Sequence, residues 1–116
     1  PSWLVREGQL MVTAVSIPTY NEDDDYTQST PLDGKDYVFR FQYNTRSDAW
    51  FMSIYDNDEV PILEGQKIVT NRDLLRGVVD ARRPPGKLVC LEIHDDLTEP
   101  TRDSFGVAHV LHYVTE

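Results

Sequence analysis

Tyr37, Phe39, Phe41 and Tyr43 alternate with Val38, Arg40 and Gln42, the period-two pattern of a strand with one buried face. A polar stretch, Asn44-Thr45-Arg46-Ser47-Asp48, separates this run from the apolar and aromatic residues 49–55. The two runs predict an antiparallel hairpin that carries most of the chain's aromatic side chains. Further strands are predicted over residues 10–17, which Pro18 stops, and 26–32, joined to Tyr37 by a tight Asp33-Gly34 turn. Others are predicted over 60–63 and 66–69, split by a Glu64-Gly65 turn, then over 87–94 and 107–114. Pro61 cannot donate to a ladder, so its strand should be short, bulged or at an edge. One helix is expected, with Asn71 capping residues 72–76 and Gly77 ending it. Arg82-Arg83-Pro84-Pro85-Gly86 reads as a stiff loop. Seven or eight short strands and one short helix predict an all-β chain, a small antiparallel barrel or sandwich. Trp50, Phe39, Phe41, Tyr43, Leu74 and Leu75 are its expected core.

At 116 residues the chain is expected to form one domain (1–116), burying roughly 65% of its unfolded surface. Residues 1–8 are expected to form an arm ahead of the first strand, with Trp3 as its candidate interface anchor. The formal charge of −9, with 11 basic against 20 acidic residues, opposes capture of nucleic acid or of an anionic membrane. No basic and apolar leader opens the sequence, and no apolar run approaches the ~20 residues of a spanning helix. Cys90 is alone, so no internal disulfide is expected and a reducing compartment fits. Its apolar neighbours suggest a buried strand thiol.

Tests for chemistry are negative. Asp56-Asn57-Asp58-Glu59 resembles the start of a calcium loop, but Pro61 and Lys67 stand where that loop needs glycine and glutamate. A hairpin turn accounts for these residues better. His109 and His112, three apart on a predicted strand, fall on opposite faces and cannot share a metal there. His94-Asp95-Asp96 offers further ligand types without a second cluster at metal-site spacing. No nucleophile elbow, Cys/His signature or glycine-rich phosphate loop occurs. No catalytic, cofactor-binding or metal-binding residue is therefore assigned. Arg82-Arg83, the one adjacent basic pair, reads as a rim contact or a solvated loop.

The chain from about Pro18 onward resembles the baseplate plug family of contractile-tailed cyanophages. The resemblance rests on Leu32-Asp33-Gly34, Tyr37-x-Phe39-x-Phe41-x-Tyr43-Asn44-x-Arg46, Trp50, Asp56 and Pro61-Ile62-Leu63-x-Gly65. It continues through Asp73-Leu74-Leu75, Pro85-Gly86-x-Leu88, Phe105-Gly106 and Leu111-x-Tyr113, about four-fifths of the chain in all. The acidic residues 22–25 lie outside this pattern. The resemblance implies a non-enzymatic virion protein, without cofactors, in the central hub region of a contractile tail. There it would fill or seal the axial path beside hub, spike and tube-end proteins, in several copies of three-fold or six-fold arrangement. It would be synthesised in the host cytoplasm, without stable nucleic-acid binding or membrane insertion. The alternatives are a cytoplasmic β-barrel interaction module and a small metal-dependent hydrolase. Edge pairing through 60–63 or 107–114 is one expected mode of partner contact, and loops 18–25 and 95–104 could be ordered by neighbours. The candidate interface residues are Trp3, Val60, Pro61, Arg82, Arg83, Val107 and His109.

Overall fold

The aromatic hairpin forms the centre of a four-stranded antiparallel sheet. In the computed structural model, which describes residues 13–93 and 98–115, β3 (Lys35–Asn44) pairs with β4 (Ala49–Tyr55) in a continuous register from Val38↔Tyr55 to Asn44↔Ala49. β2 (Asp25–Leu32) flanks β3 and β5 (Pro61–Lys67) flanks β4, giving the order β2-β3-β4-β5. A second, three-stranded antiparallel sheet has the order β1-β7-β6, from Thr13–Ile17, His109–Thr115 and Lys87–Glu92. The chain is all-β, as the pattern predicts, but the ladders form two separate sheets and do not close into a barrel. Residues 1–12, with Trp3 and the arm, and His94, Asp95 and Asp96 lie outside the described residues.

Turn chemistry sets the hairpins. Asp33 and Gly34 have φ of 53° and 80°, the paired left-handed residues of a two-residue hairpin turn whose twist matches its strands. Asn44 Oδ1 accepts from the N–H of Arg46 and Ser47 and organises the next turn. Asp56 does the same for the β4–β5 turn, where its Oδ1 accepts from the N–H of Asp58 and Val60. The expected Glu64-Gly65 turn is instead a bulge inside one strand. The β4–β5 register slips between Met52 and Ile54, Gly65 adopts φ 68°, and its N–H donates to Ser53 Oγ at 3.1 Å.

Inward side chains of both sheets meet in one hydrophobic cluster. Phe39, Phe41, Trp50, Met52 and Ile54 come from the larger sheet, Ile17, Leu88, Cys90, Leu111 and Tyr113 from the smaller. Leu74, Leu75 and Phe105 reach it from the connections. Each large apolar side chain buried there contributes about 1.5–3 kcal/mol. Tyr43, expected in the core, is only partly buried, and its hydroxyl donates to Asp48 at the turn.

No helix forms over 71–77, and no described residue is helical. Asn71 has φ 60°, which is not the extended backbone of an N-cap, and its N–H donates to Cys90 O at 2.9 Å. The Leu74 N–H donates to Leu88 O at 2.8 Å, and Asp73 Oδ1 accepts from the N–H of Leu75 and Leu88. Backbone groups that a helix would need are thus committed to β6. The segment becomes a run of turns that carries Leu74 and Leu75 into the core.

The twin arginines hold the rest of the β5–β6 connection. Arg83 donates through Nη1 to Leu75 O (2.8 Å) and Val78 O (3.1 Å), through Nη2 to Gly86 O (2.9 Å), and through Nε to Pro84 O (3.0 Å). One guanidinium therefore satisfies four carbonyls of a connection without regular structure. Arg82 forms a fork on Asp80 (Nη2–Oδ2 2.6 Å, Nε–Oδ1 3.0 Å) and reaches Asp56 Oδ2 (2.8 Å) and Pro61 O (2.9 Å). Expected as a rim or solvated pair, both are internal clamps. They are so because the connection leaves carbonyls unpaired and Asp56 stands within reach. The Arg82 hydrogen bonds hold Asp80 down at about 2. Asp56 is lowered first by the backbone N–H of Val60, then by Arg82.

Gly86 closes the connection against β7. Its N–H donates to the Tyr113 hydroxyl at 2.7 Å, which donates to Asp33 Oδ2 at 2.5 Å, so one phenol joins the smaller sheet to the β2–β3 turn. Burial, then the Asp33 bond, raises that phenol's pKa. A Cβ at position 86 would stand 2.4 Å from Val114 O. Gly86→Ala should therefore destabilise the chain by roughly 1–3 kcal/mol, measured by denaturant unfolding; an unchanged midpoint would show that β7 yields easily. Asp80 is the usual depressed-carboxylate case, so its contribution is full above its ordinary 3.8 and is lost as pH falls toward about 2. The melting-temperature gap between wild type and Arg82→Ala should accordingly shrink across that window. A gap constant from pH 5 to pH 2 would remove Asp80 and Asp56 as the groups that Arg82 serves.

Candidate interaction surfaces

Two sheets present four outer strands, and the structure treats them differently. β7 is central, paired with β1 on one side and β6 on the other, so the C-terminal strand has no free edge to offer a neighbour. The strand expected over 107–114 starts at His109, because residues 104–108 form a turn in which Ser104 O accepts from the N–H of Val107, Ala108 and His109. The outer side of β6 carries bridges from Thr70 and Asp73. β5 is an edge strand, as Pro61 requires, but a blunted one. Pro61 has no N–H, its carbonyl accepts from Arg82, Gly65 bulges, and Gln66 Nε2 covers the carbonyl of Lys67. β1 has five residues.

β2 is the longest outer strand, at eight residues without a register slip. The Tyr43 N–H donates to Asp24 O at 2.7 Å, which makes Asp24 and Tyr43 a hydrogen-bonded pair. By the alternation of an antiparallel ladder, Tyr26, Gln28 and Thr30 then turn their backbone groups to β3, and Asp25, Thr27 and Ser29 turn theirs outward. Those three residues are exposed. At the start of the strand Arg40 forms a fork on Asp25 (2.9 and 2.6 Å), the main cause of that carboxyl's lowered pKa. Tyr26 packs beneath, stacked on Tyr20 at 3.9 Å; burial pushes its phenol up to about 12.

Of the expected interface residues, Val60 and Val107 have exposed side chains, at 45% and 65%, on the β4–β5 turn and on the turn before β7. Pro61 is exposed next to Val60, and Arg82 and Arg83 are internal clamps. His109 is buried and holds the neighbouring connection: Nε2 donates to Thr98 O at 2.8 Å and Nδ1 meets Ser104 Oγ at 2.8 Å. A carbonyl can only accept, which places a proton on Nε2. His112 lies on the opposite face of the strand, as its parity requires. Trp3 is outside the described residues.

The two polar loops expected to await partners are tied to each other. Arg102 pairs with Asp24 at 2.5 Å and donates to Asn21 O, while Asn21 Nδ2 donates to Asp103 O at 2.7 Å. Trp50 Nε1 donates to Thr101 O at 2.8 Å, and Phe105 stacks on the Trp50 ring at 4.7 Å. Cys90 is buried, as its neighbours suggested, and burial pushes its thiol up to about 12. Among the described residues no group of three His, Cys, Asp or Glu side chains is placed to hold a metal. Among the described residues are two shallow depressions, one beside Val38, Arg40, Tyr55 and Glu59, the other beside Lys35, Asp36, Asp58 and Arg82. Neither joins a nucleophile to a base within hydrogen-bond reach. The open β2 edge escaped the sequence reading, although the unbroken polar run Thr27-Gln28-Ser29-Thr30 before Pro31 was its signal.

Comparison with curated proteins found no match for this chain. Comparison with protein families matched residues 14–116 to the family described as cyanophage baseplate Pam3 plug gp18. That match runs from within β1 to the end of β7 and takes in Phe105-Gly106, the Arg82-Arg83 clamps and Gly86. The chain therefore belongs to the cyanophage baseplate plug family.

Proposed function

We propose that this protein is a non-enzymatic structural component of a contractile phage tail baseplate, seated in the central hub region and closing the axial path. The observation that carries this reading is the family match over 14–116, which includes both sheets almost entirely. Physical features support it. Loops 18–24 and 98–106 are locked onto the body by Arg102, Trp50 and Phe105, which suits a plug that must resist deformation. A charge of −9 repels DNA passing through a channel rather than retaining it. The neighbours would be hub, spike and tube-end proteins, and several copies would sit around a three-fold or six-fold axis. Synthesis would take place in the host cytoplasm before assembly.

Mass spectrometry of purified virions, with cryo-EM of the baseplate, tests this reading. The chain should be a stoichiometric virion component with density on the tail axis, and deleting its gene should remove that density. A chain abundant in infected cells but absent from purified particles would overturn it.

A further inference from the structure

Of the four outer strands, β5 and β6 lose their outer sides to blunting or internal partners, β1 has only five residues, and β2 is both long and open. β7 is central, β6 is bridged by Thr70 and Asp73, and β5 is covered by Arg82 and Gln66 around a bulge. β2 carries none of these protections before Pro31. No described group bonds to the outward backbone of Asp25, Thr27 or Ser29, and the neighbouring segment touches β2 through side chains: Gln28 Nε2 on Pro18 O at 2.7 Å and Tyr20 on Tyr26. Three successive outward residues leave three donors and three acceptors in line, a template for one added strand.

We infer that the β2 edge, residues 25–29, receives an extended segment of another baseplate protein by strand addition, and that this segment carries Lys or Arg beside Glu22 and Asp23. The inference rests on the proposed baseplate role and names the surface and chemistry of one partner. Charge decides the occupant. Asp24 and Asp25 are neutralised by Arg102 and Arg40, but Glu22 and Asp23 are exposed and have no ion-pair partner among the described residues. A second copy would bring another chain of charge −9 to the same acidic edge, whereas a basic segment is drawn there and aligned. The small exposed side chains of Thr27 and Ser29 leave room for a strand, and main-chain bonds supply most of its affinity.

Proline tests the edge directly, since an outward residue can lose its N–H without breaking the β2–β3 ladder. Thr27→Pro and Ser29→Pro, made separately, should keep the wild-type melting temperature yet lower incorporation into baseplates at least tenfold in a complemented phage. Glu22→Lys with Asp23→Lys should lower it as well. A folded proline variant incorporated at the wild-type level would overturn the edge while leaving the baseplate reading intact. Absence of the wild-type chain from particles would overturn that reading and this partner together. Amide exchange of the isolated wild-type chain needs no variant: Thr27 and Ser29 should exchange freely beside protected Tyr26 and Gln28, and equal protection of all four would overturn the open edge. Self-association of the isolated chain that Thr27→Pro abolishes would replace the basic segment with a second copy.

Discussion

Trp50 ties the larger sheet to the connection that leads into β7. Its ring lies between the inner face of the larger sheet and Phe105, stacked at 4.7 Å, and its indole N–H satisfies the carbonyl of Thr101. That contact helps to anchor the connection before β7 in the shared core. Phe41 approaches the same Phe105 ring at 5.4 Å and Tyr26 approaches Trp50 at 6.4 Å, so aromatic contacts spread from this point to β2. Such pairs add about 0.5–1.5 kcal/mol each beyond the area they bury. The position explains why the aromatic ladder is concentrated in one hairpin: a small core needs a few large side chains that reach both sheets.

Around that centre, polar side chains do the work that regular structure does elsewhere. Nearly twenty residues separate β5 from β6 without a helix or strand. Arg83 gathers four of their carbonyls, Asp73 receives two N–H groups, and Arg82 ties them to the β4–β5 turn. These groups are buried or half-buried, so an unmatched carbonyl or amide would cost about 1–3 kcal/mol. The same economy blunts the β5 edge, since the Arg82 that grips Asp80 also covers Pro61 O. Local order and protection from unwanted strand pairing thus come from one side chain. β2 lacks an equivalent, and its exposed backbone is the contrast on which the partner inference stands.

The strands were legible because their signals are local. Alternation at 37–43, the Asp33-Gly34 turn and the Asn44 turn each depend on residues within a few positions, and the structure follows them closely. The helix was misread because its signals, Asn71 and Gly77, are equally those of tight turns. Asn71 takes the left-handed backbone at φ 60° once Cys90 offers its carbonyl. Glu64-Gly65 was misread for a related reason. A left-handed glycine serves a turn or a bulge, and only the pairing of β4 with β5 selects the bulge. The arginine pair read as a rim contact or solvated loop because its partners, backbone carbonyls and the carboxylates of Asp80 and Asp56, carry no recognisable spacing in the sequence.

By itself the sequence determined the all-β class, the aromatic hairpin, the turn residues and a resemblance to the baseplate plug family that the family comparison bears out. These follow from side-chain periodicity and from which residues tolerate a given backbone angle, both properties of short segments. Tertiary structure alone decided that the C-terminal strand is central, that His109 faces inward, that Arg82 and Arg83 are clamps, and that β2 keeps its outer side. Strand order and hydrogen-bond partners depend on which distant segments meet. That is settled by burial of the common core and by the need to satisfy every backbone group it encloses.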